Sequence, residues 1–155
     1  MYCWYVRNTY LENNLREPAK TSVLGVPVDF GKVAVPAYVL ATREDHIVPW
    51  RTAYRTTHLI GGETRFVLGA SGHVAGVINP ASRNKRSYWT GANVRASAED
   101  WLAGAAEERG SWWTDWSDWL KRFGGGRVKA RARLGSAKFK PGARAPGSYV
   151  RRRSG

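Results

Sequence analysis

Apolar and polar positions along this 155-residue chain change period several times, and each change marks a predicted element. Tyr2, Trp4, Tyr5, Tyr10, Leu11 and Leu15 meet at helical spacing before Pro18, which predicts a helix over residues 1–15. Val35-Pro36-Ala37-Tyr38-Val39-Leu40-Ala41 reads as a buried strand that admits proline only near its start. A loop from Thr42 to Val48 follows. Pro49 then suits the first turn of a helix through Trp50, Ala53, Tyr54 and Leu59, ended by Gly61-Gly62. Thr64-Arg65-Phe66-Val67-Leu68 predicts a second strand, stopped by Gly69-Ala70-Ser71-Gly72. Strand, helix and strand together imply a right-handed βαβ unit with parallel strands. Two further helices are expected over Trp101–Ala106 and Ser111–Leu120, separated by Gly110. In the second, Trp112, Trp116 and Trp119 share one face, with Ser111 or Thr114 available as a cap. That stripe reads first as core packing and second as a sugar- or polymer-binding surface.

Composition narrows the class. With 43% hydrophobic and 24% charged residues the chain can pack a core, which excludes wholesale disorder, while its length excludes a multi-domain enzyme. Cys3 is the sole cysteine, so no internal disulfide forms, and with three histidines it cannot build a CxxC-type zinc site; no metal is expected. Set among aromatics, Cys3 is expected to be a buried, inert thiol. No apolar run reaches the roughly 18 residues of a membrane span, so the expectation is a soluble, cytoplasmic protein without a membrane partner. The net charge of +13 is segregated: residues 121–155 hold twelve Lys and Arg and no acid, against thirteen bases and twelve acids in residues 1–120. A folded body over 1–123 and a basic, solvated tail over 124–155 are expected, divided at Gly124-Gly125-Gly126.

Ligands and catalytic groups in an open parallel sheet gather on loops beyond the carboxyl ends of the strands. Two such loops carry Arg43-Glu44-Asp45-His46 and Ser71-Gly72-His73. An acid and then a histidine on consecutive strand ends is the chain order of α/β-hydrolase enzymes, although surface loops also carry both residue types without catalysing anything. Gly69 and Gly72 would let His73 sit at a tight turn; the plain alternative is a loop histidine with one backbone hydrogen bond. His46 adjoins Asp45 and should point the other way, and His58 belongs on a helix surface. Ser71 lacks the G-x-S-x-G elbow, and Cys3 has no glycine-flanked turn, so neither qualifies as a nucleophile.

Several blocks carry a family resemblance: Asn8-Thr9-Tyr10-Leu11-Glu12-Asn13-Asn14-Leu15, Gly25-Val26-Pro27-Val28-Asp29, Arg43-Glu44-Asp45-His46-Ile47-Val48-Pro49-Trp50, Phe66 through Pro80, Asn84-Lys85-Arg86-Ser87-Tyr88-Trp89, and Gly110-Ser111-Trp112-Trp113 with Asp115-Trp116. In this order they resemble the C-terminal part of class I poly(3-hydroxyalkanoate) synthases, and Pro146-Gly147-Ser148-Tyr149-Val150 resembles the family's ending. The resemblance implies the C-terminal portion of an α/β-hydrolase fold with Trp-rich C-terminal helices. It implies chain extension of a polyester from (R)-3-hydroxyacyl-CoA with release of CoA, no cofactor, and a place in the cytoplasm at polyester granules. It further implies that Asp45 and His73 belong to a Cys-Asp-His triad, the aspartate orienting the histidine or activating the incoming 3-hydroxyl. His46 and Trp50 match positions near that site and are expected as its substrate-binding neighbours.

The family's G-x-C-x-G-G elbow does not occur in the chain, and Cys3 does not match it. The expectation is therefore a truncated or split synthase, inactive alone and prone to associate through an uncovered strand edge. Its expected partners are an N-terminal synthase half or a full-length synthase. A non-catalytic fragment that binds granules or synthase is the second reading. Nucleic-acid binding by the tail ranks last, because the body offers neither a recognition helix nor a basic face.

Overall fold

Asparagine side chains, more than aromatic packing, shape the first sixteen residues of the computed structural model, which describes residues 1–153. Helix α1 (Tyr2–Val6) widens into a π-helical turn over Arg7–Leu11, and a 3₁₀ turn covers Asn14–Arg16. The single helix expected over 1–15 is thus broken into three pieces, with Asn13 in the left-handed region at φ 48° between the last two. The Asn8 amide donates to the Trp4 carbonyl at 2.8 Å, and the Asn14 amide donates to Asn8 Oδ1 at 3.0 Å and Glu12 Oε2 at 2.7 Å. Such local side-chain bonds compete with the regular helix ladder. Asn8 and Asn14 are buried, while Tyr2, Trp4, Tyr5 and Tyr10 are exposed. Cys3 is exposed with them, which corrects the expectation of a buried thiol: α1 buries none of its five residues.

A hairpin of β1 (Ser22–Val23) and β2 (Val26–Pro27) turns at Leu24 and Gly25, both with positive φ, the geometry of a tight two-residue loop. The main sheet begins with β3 (Ala37–Thr42), parallel to β4 (Thr64–Gly69) in the register Ala37↔Thr64 through Thr42↔Gly69. Between them run helices α2 (Trp50–Tyr54) and α3 (Thr56–Leu59), where one helix was expected. The Thr57 hydroxyl bonds to the Tyr54 carbonyl at 2.8 Å and to Val94 at 3.0 Å, which ties the second piece to a distant loop. After α3 the chain passes so close to Val33–Val35 that a Cβ at Gly62 would lie 2.6 Å from the Val35 carbonyl oxygen.

Two strands beyond those read from the sequence complete the sheet. Antiparallel β5 (Ser87–Thr90) pairs with β4, and β6 (Ala106–Arg109) pairs with β5, giving the order β3-β4-β5-β6 in a mixed sheet. Helix α4 (Ala98–Ala103) is capped by Ser97, whose hydroxyl accepts from the Asp100 amide; it stops at Gly104, so Ala106 belongs to β6 and not to a helix. Helix α5 (Trp112–Lys121) follows, capped by Ser111. The core joins Ala41, Trp50, Tyr54, Phe66, Leu68 and Trp101, with the Phe66 ring 4.8 Å from both Tyr54 and Trp101 in edge-on contact.

The chain divides into two compact units, Met1–Phe123 and Gly124–Gly155. In the second, the described regular structure is a 3₁₀ turn over Tyr149–Arg151, and every described Lys and Arg side chain is exposed. Among the described residues no helix is long and apolar enough to cross a membrane.

Candidate active site

Parallel pairing continues past the ends of β3 and β4, and this draws two loops together. The Arg43 amide donates to Gly69 O at 2.8 Å and the Glu44 amide to Ser71 O at 3.1 Å. Ser71 turns the second loop with φ 77°, a conformation uncommon for a residue with a Cβ. Asp45 and His73, one from each loop, meet with Oδ2 and Nδ1 2.7 Å apart. The other oxygen, Oδ1, accepts from the Ile47 and Val48 amides at 2.9 Å each. The Val48 amide, the His73 contact and the Ile47 amide hold the Asp45 carboxyl down to about 2 against the opposing effect of burial. An ionised carboxylate only accepts, so the proton between the pair belongs to His73 Nδ1, which leaves Nε2 as the free ring nitrogen.

A cleft of about 220 Å³ adjoins the pair, lined by Leu40, Thr42, Asp45, Val48, His73 and Val77 among others. The Asp45 side chain is 9% exposed and that of His73 43%. Thr42, at the end of β3, has its hydroxyl buried without a hydrogen-bond partner among the described residues. His46 and Trp50 do not line this cleft. His46 is exposed, and Trp50 is buried in the core with the Arg51 guanidinium 4.9 Å from its ring centre.

The segment after His73 is held from α5. Trp112 Nε1 donates to Gly76 O at 3.1 Å, Trp113 Nε1 donates to Val77 O at 3.0 Å, and the Ser111 hydroxyl bonds the Asn79 carbonyl. Gly76 packs so tightly that a Cβ there would lie 2.5 Å from the Thr42 methyl and 2.7 Å from Ala70 O. Of the tryptophan stripe, Trp112 is buried and Trp116 is 40% exposed.

Helix α5 is in turn fastened to the parallel strands. Asp115 takes a two-pronged contact from Arg65, with Nε at 2.9 Å, and a hydrogen bond from the Tyr38 hydroxyl at 2.8 Å. Burial first, and then the Asp115 carboxylate, push the Tyr38 phenol far above its ordinary value. Sequence reasoning found the acid and the histidine but missed this latch and the carbonyl contacts of Trp112 and Trp113. The signal present was Asp115 on the helix face beside the tryptophan stripe.

Relatives decide the family. The chain is 53% identical over 150 residues to the poly(3-hydroxyalkanoate) polymerase subunit PhaC of Cupriavidus necator, an alignment that covers 97% of this chain and 26% of that protein. The chain is homologous to part of a poly(3-hydroxyalkanoate) polymerase. The PhaC polymerase subunit of Rhizobium meliloti is 42% identical over 153 residues, covering 99% of this chain and 24% of that protein. The polymerase of Methylorubrum extorquens is 43% identical over 152 residues, covering 97% and 25%. The chain thus spans about a quarter of the length of these curated polymerases. No family model matches it.

Proposed function

We propose that this chain is the acid- and histidine-bearing C-terminal part of a class I poly(3-hydroxyalkanoate) synthase, with an α/β-hydrolase core completed by a second polypeptide segment that brings a cysteine elbow. The observation that carries the reading is the Asp45–His73 contact on adjoining strand-end loops, within a segment homologous to the polymerases. In this reading His73 Nε2 removes the cysteine thiol proton, and the thiolate attacks the thioester carbonyl of (R)-3-hydroxyacyl-CoA. A carbon–sulfur bond to the cysteine forms, the bond to CoA breaks, and the CoA thiolate takes the proton from the imidazolium. The hydroxyl of the acyl unit to be joined then loses its proton to Nε2 as its oxygen attacks the enzyme thioester; the new ester forms, the carbon–sulfur bond to the cysteine breaks, and the departing thiolate takes that proton back from the imidazolium. Both oxygens of Asp45 are already engaged, and this supports a carboxylate that orients and stabilises the ring over one that activates the hydroxyl directly.

The test pairs the chain with an N-terminal synthase polypeptide that carries G-x-C-x-G-G and follows CoA release from (R)-3-hydroxybutyryl-CoA. Turnover is expected in the mixture and not from the chain alone. His73→Gln should lower turnover by about 10³-fold or more and Asp45→Asn by about 10²–10⁴-fold. Undiminished turnover in both variants would remove them from the reaction.

A second reading, a non-catalytic fragment that attaches to polyester granules or synthase, draws on α5 and the residues just after it. Trp116, Leu120 and Phe123 lie at i, i+4 and i+7 and are 40%, 40% and 49% exposed. Granule retention with no CoA release in the complemented mixture would favour it.

A further inference from the structure

The second unit carries a charge arrangement that the polymerase reading does not use. Residues 124–153 contain ten Lys and Arg and no Asp or Glu, whereas residues 1–123 contain fifteen bases against twelve acids. Among the described residues the body pairs its own acids with its own bases, such as Asp115 with Arg65 and Glu63 with Arg122. The ten bases of the second unit are all exposed.

Their spacing is ordered. Arg127, Lys129, Arg131 and Arg133 occupy every second position, in a stretch with no helix or strand. Drawn out, such a chain places alternate side chains on one side at roughly 6.6 Å intervals, from about 3.3 Å per residue. An extended row of this kind can follow the backbone of one strand and set its bases against successive phosphates, each contact releasing a counterion. Seven of the ten bases are arginine, whose planar fork matches phosphate oxygens. The opposite side of the row offers Val128, Ala130, Ala132 and Leu134, too little apolar area to enter a bilayer.

We propose that residues 124–153 are a nucleic-acid-binding arm that grips the phosphate backbone without reading sequence, with Arg127, Lys129, Arg131 and Arg133 as its principal row. A recognition helix and a basic face on the body are not required for this mode, which is independent of the polymerase reading. Counterion release drives it, so affinity lies in the micromolar range near physiological salt and falls steeply as salt rises.

The test is fluorescence anisotropy of a labelled, mixed-sequence duplex of roughly 20 base pairs with the full chain, between about 50 and 200 mM KCl. Binding should weaken roughly a thousandfold over that range. The variant R127Q/K129Q/R131Q/R133Q should reduce the slope of log affinity against log salt by about 3 to 4, at about 0.9 per phosphate contact. The body variant K20Q/K32Q/R83Q/K85Q, equal in net charge, should leave the slope within about 1 of the parent's. Absence of binding at low salt would overturn the proposal, as would equal losses in the two variants. So would equal competition, charge for charge, by polyglutamate or by phosphatidylglycerol vesicles, since either would mean that the arm does not select phosphate backbones.

Discussion

The N-terminal segment carries Tyr2, Trp4, Tyr5 and Tyr10, and α5 carries Trp112, Trp113, Trp116 and Trp119, yet the two use their rings differently. In α5 two indole N–H groups bond carbonyls of the segment after His73, and Trp112 is buried. In the N-terminal segment the four rings are exposed and two asparagines do the holding. Aromatic content alone therefore does not mark a core. A ring contributes when an opposing surface covers it and its polar edge finds a partner.

Truncating one ring from each segment tests that contrast most strongly. Trp112→Ala should cost about 3–5 kcal/mol in denaturant unfolding, and it should speed hydrogen exchange at the Gly76 amide. Trp4→Ala should stay within about 0.5 kcal/mol, and equal costs at the two positions would collapse the comparison. Asp115→Asn sharpens it, because α5 then keeps its rings and loses its latch to Arg65 and Tyr38. We expect a loss of about 1.5–3 kcal/mol, measured the same way.

Acid titration gives a smaller, pH-bounded effect at the pair itself. The Asp45 carboxyl is lowered from 3.8 to about 2 in the fold, so its stabilisation is complete above 3.8 and is lost as pH falls through about 2. Unfolding free energy followed across that window should show this step in the parent and lack it in Asp45→Asn. Smallest of all, Cys3→Ser should change stability by less than about 0.5 kcal/mol, while Cys3 in the native chain is alkylated without prior unfolding.

The parallel strands and the approach of His73 to Asp45 were legible because each rests on local pattern: apolar runs, then glycine-bounded loops at strand ends. Strand β6 was not. Its Ala106-Glu107-Glu108-Arg109 is fully exposed and poor in strand-forming residues, and pairing with β5 decides its conformation. The latch was hidden for another reason: Asp115 lies 50 positions from Arg65 and 77 from Tyr38, and no periodicity links residues so far apart. The left-handed Ser71 likewise sits where a sequence reader would have wanted glycine.

The double anchoring of Asp45 divides labour within the pair. With Oδ1 tied to the Ile47 and Val48 amides, the carboxylate moves only as its own backbone moves, and that backbone is stitched to the neighbouring loop through Arg43 and Glu44. The acid is the fixed post and the imidazole is the swinging arm. Were a proton to arrive at or leave Nε2, as the proposed mechanism requires, the half-exposed ring and not the anchored carboxylate would have the room to shift.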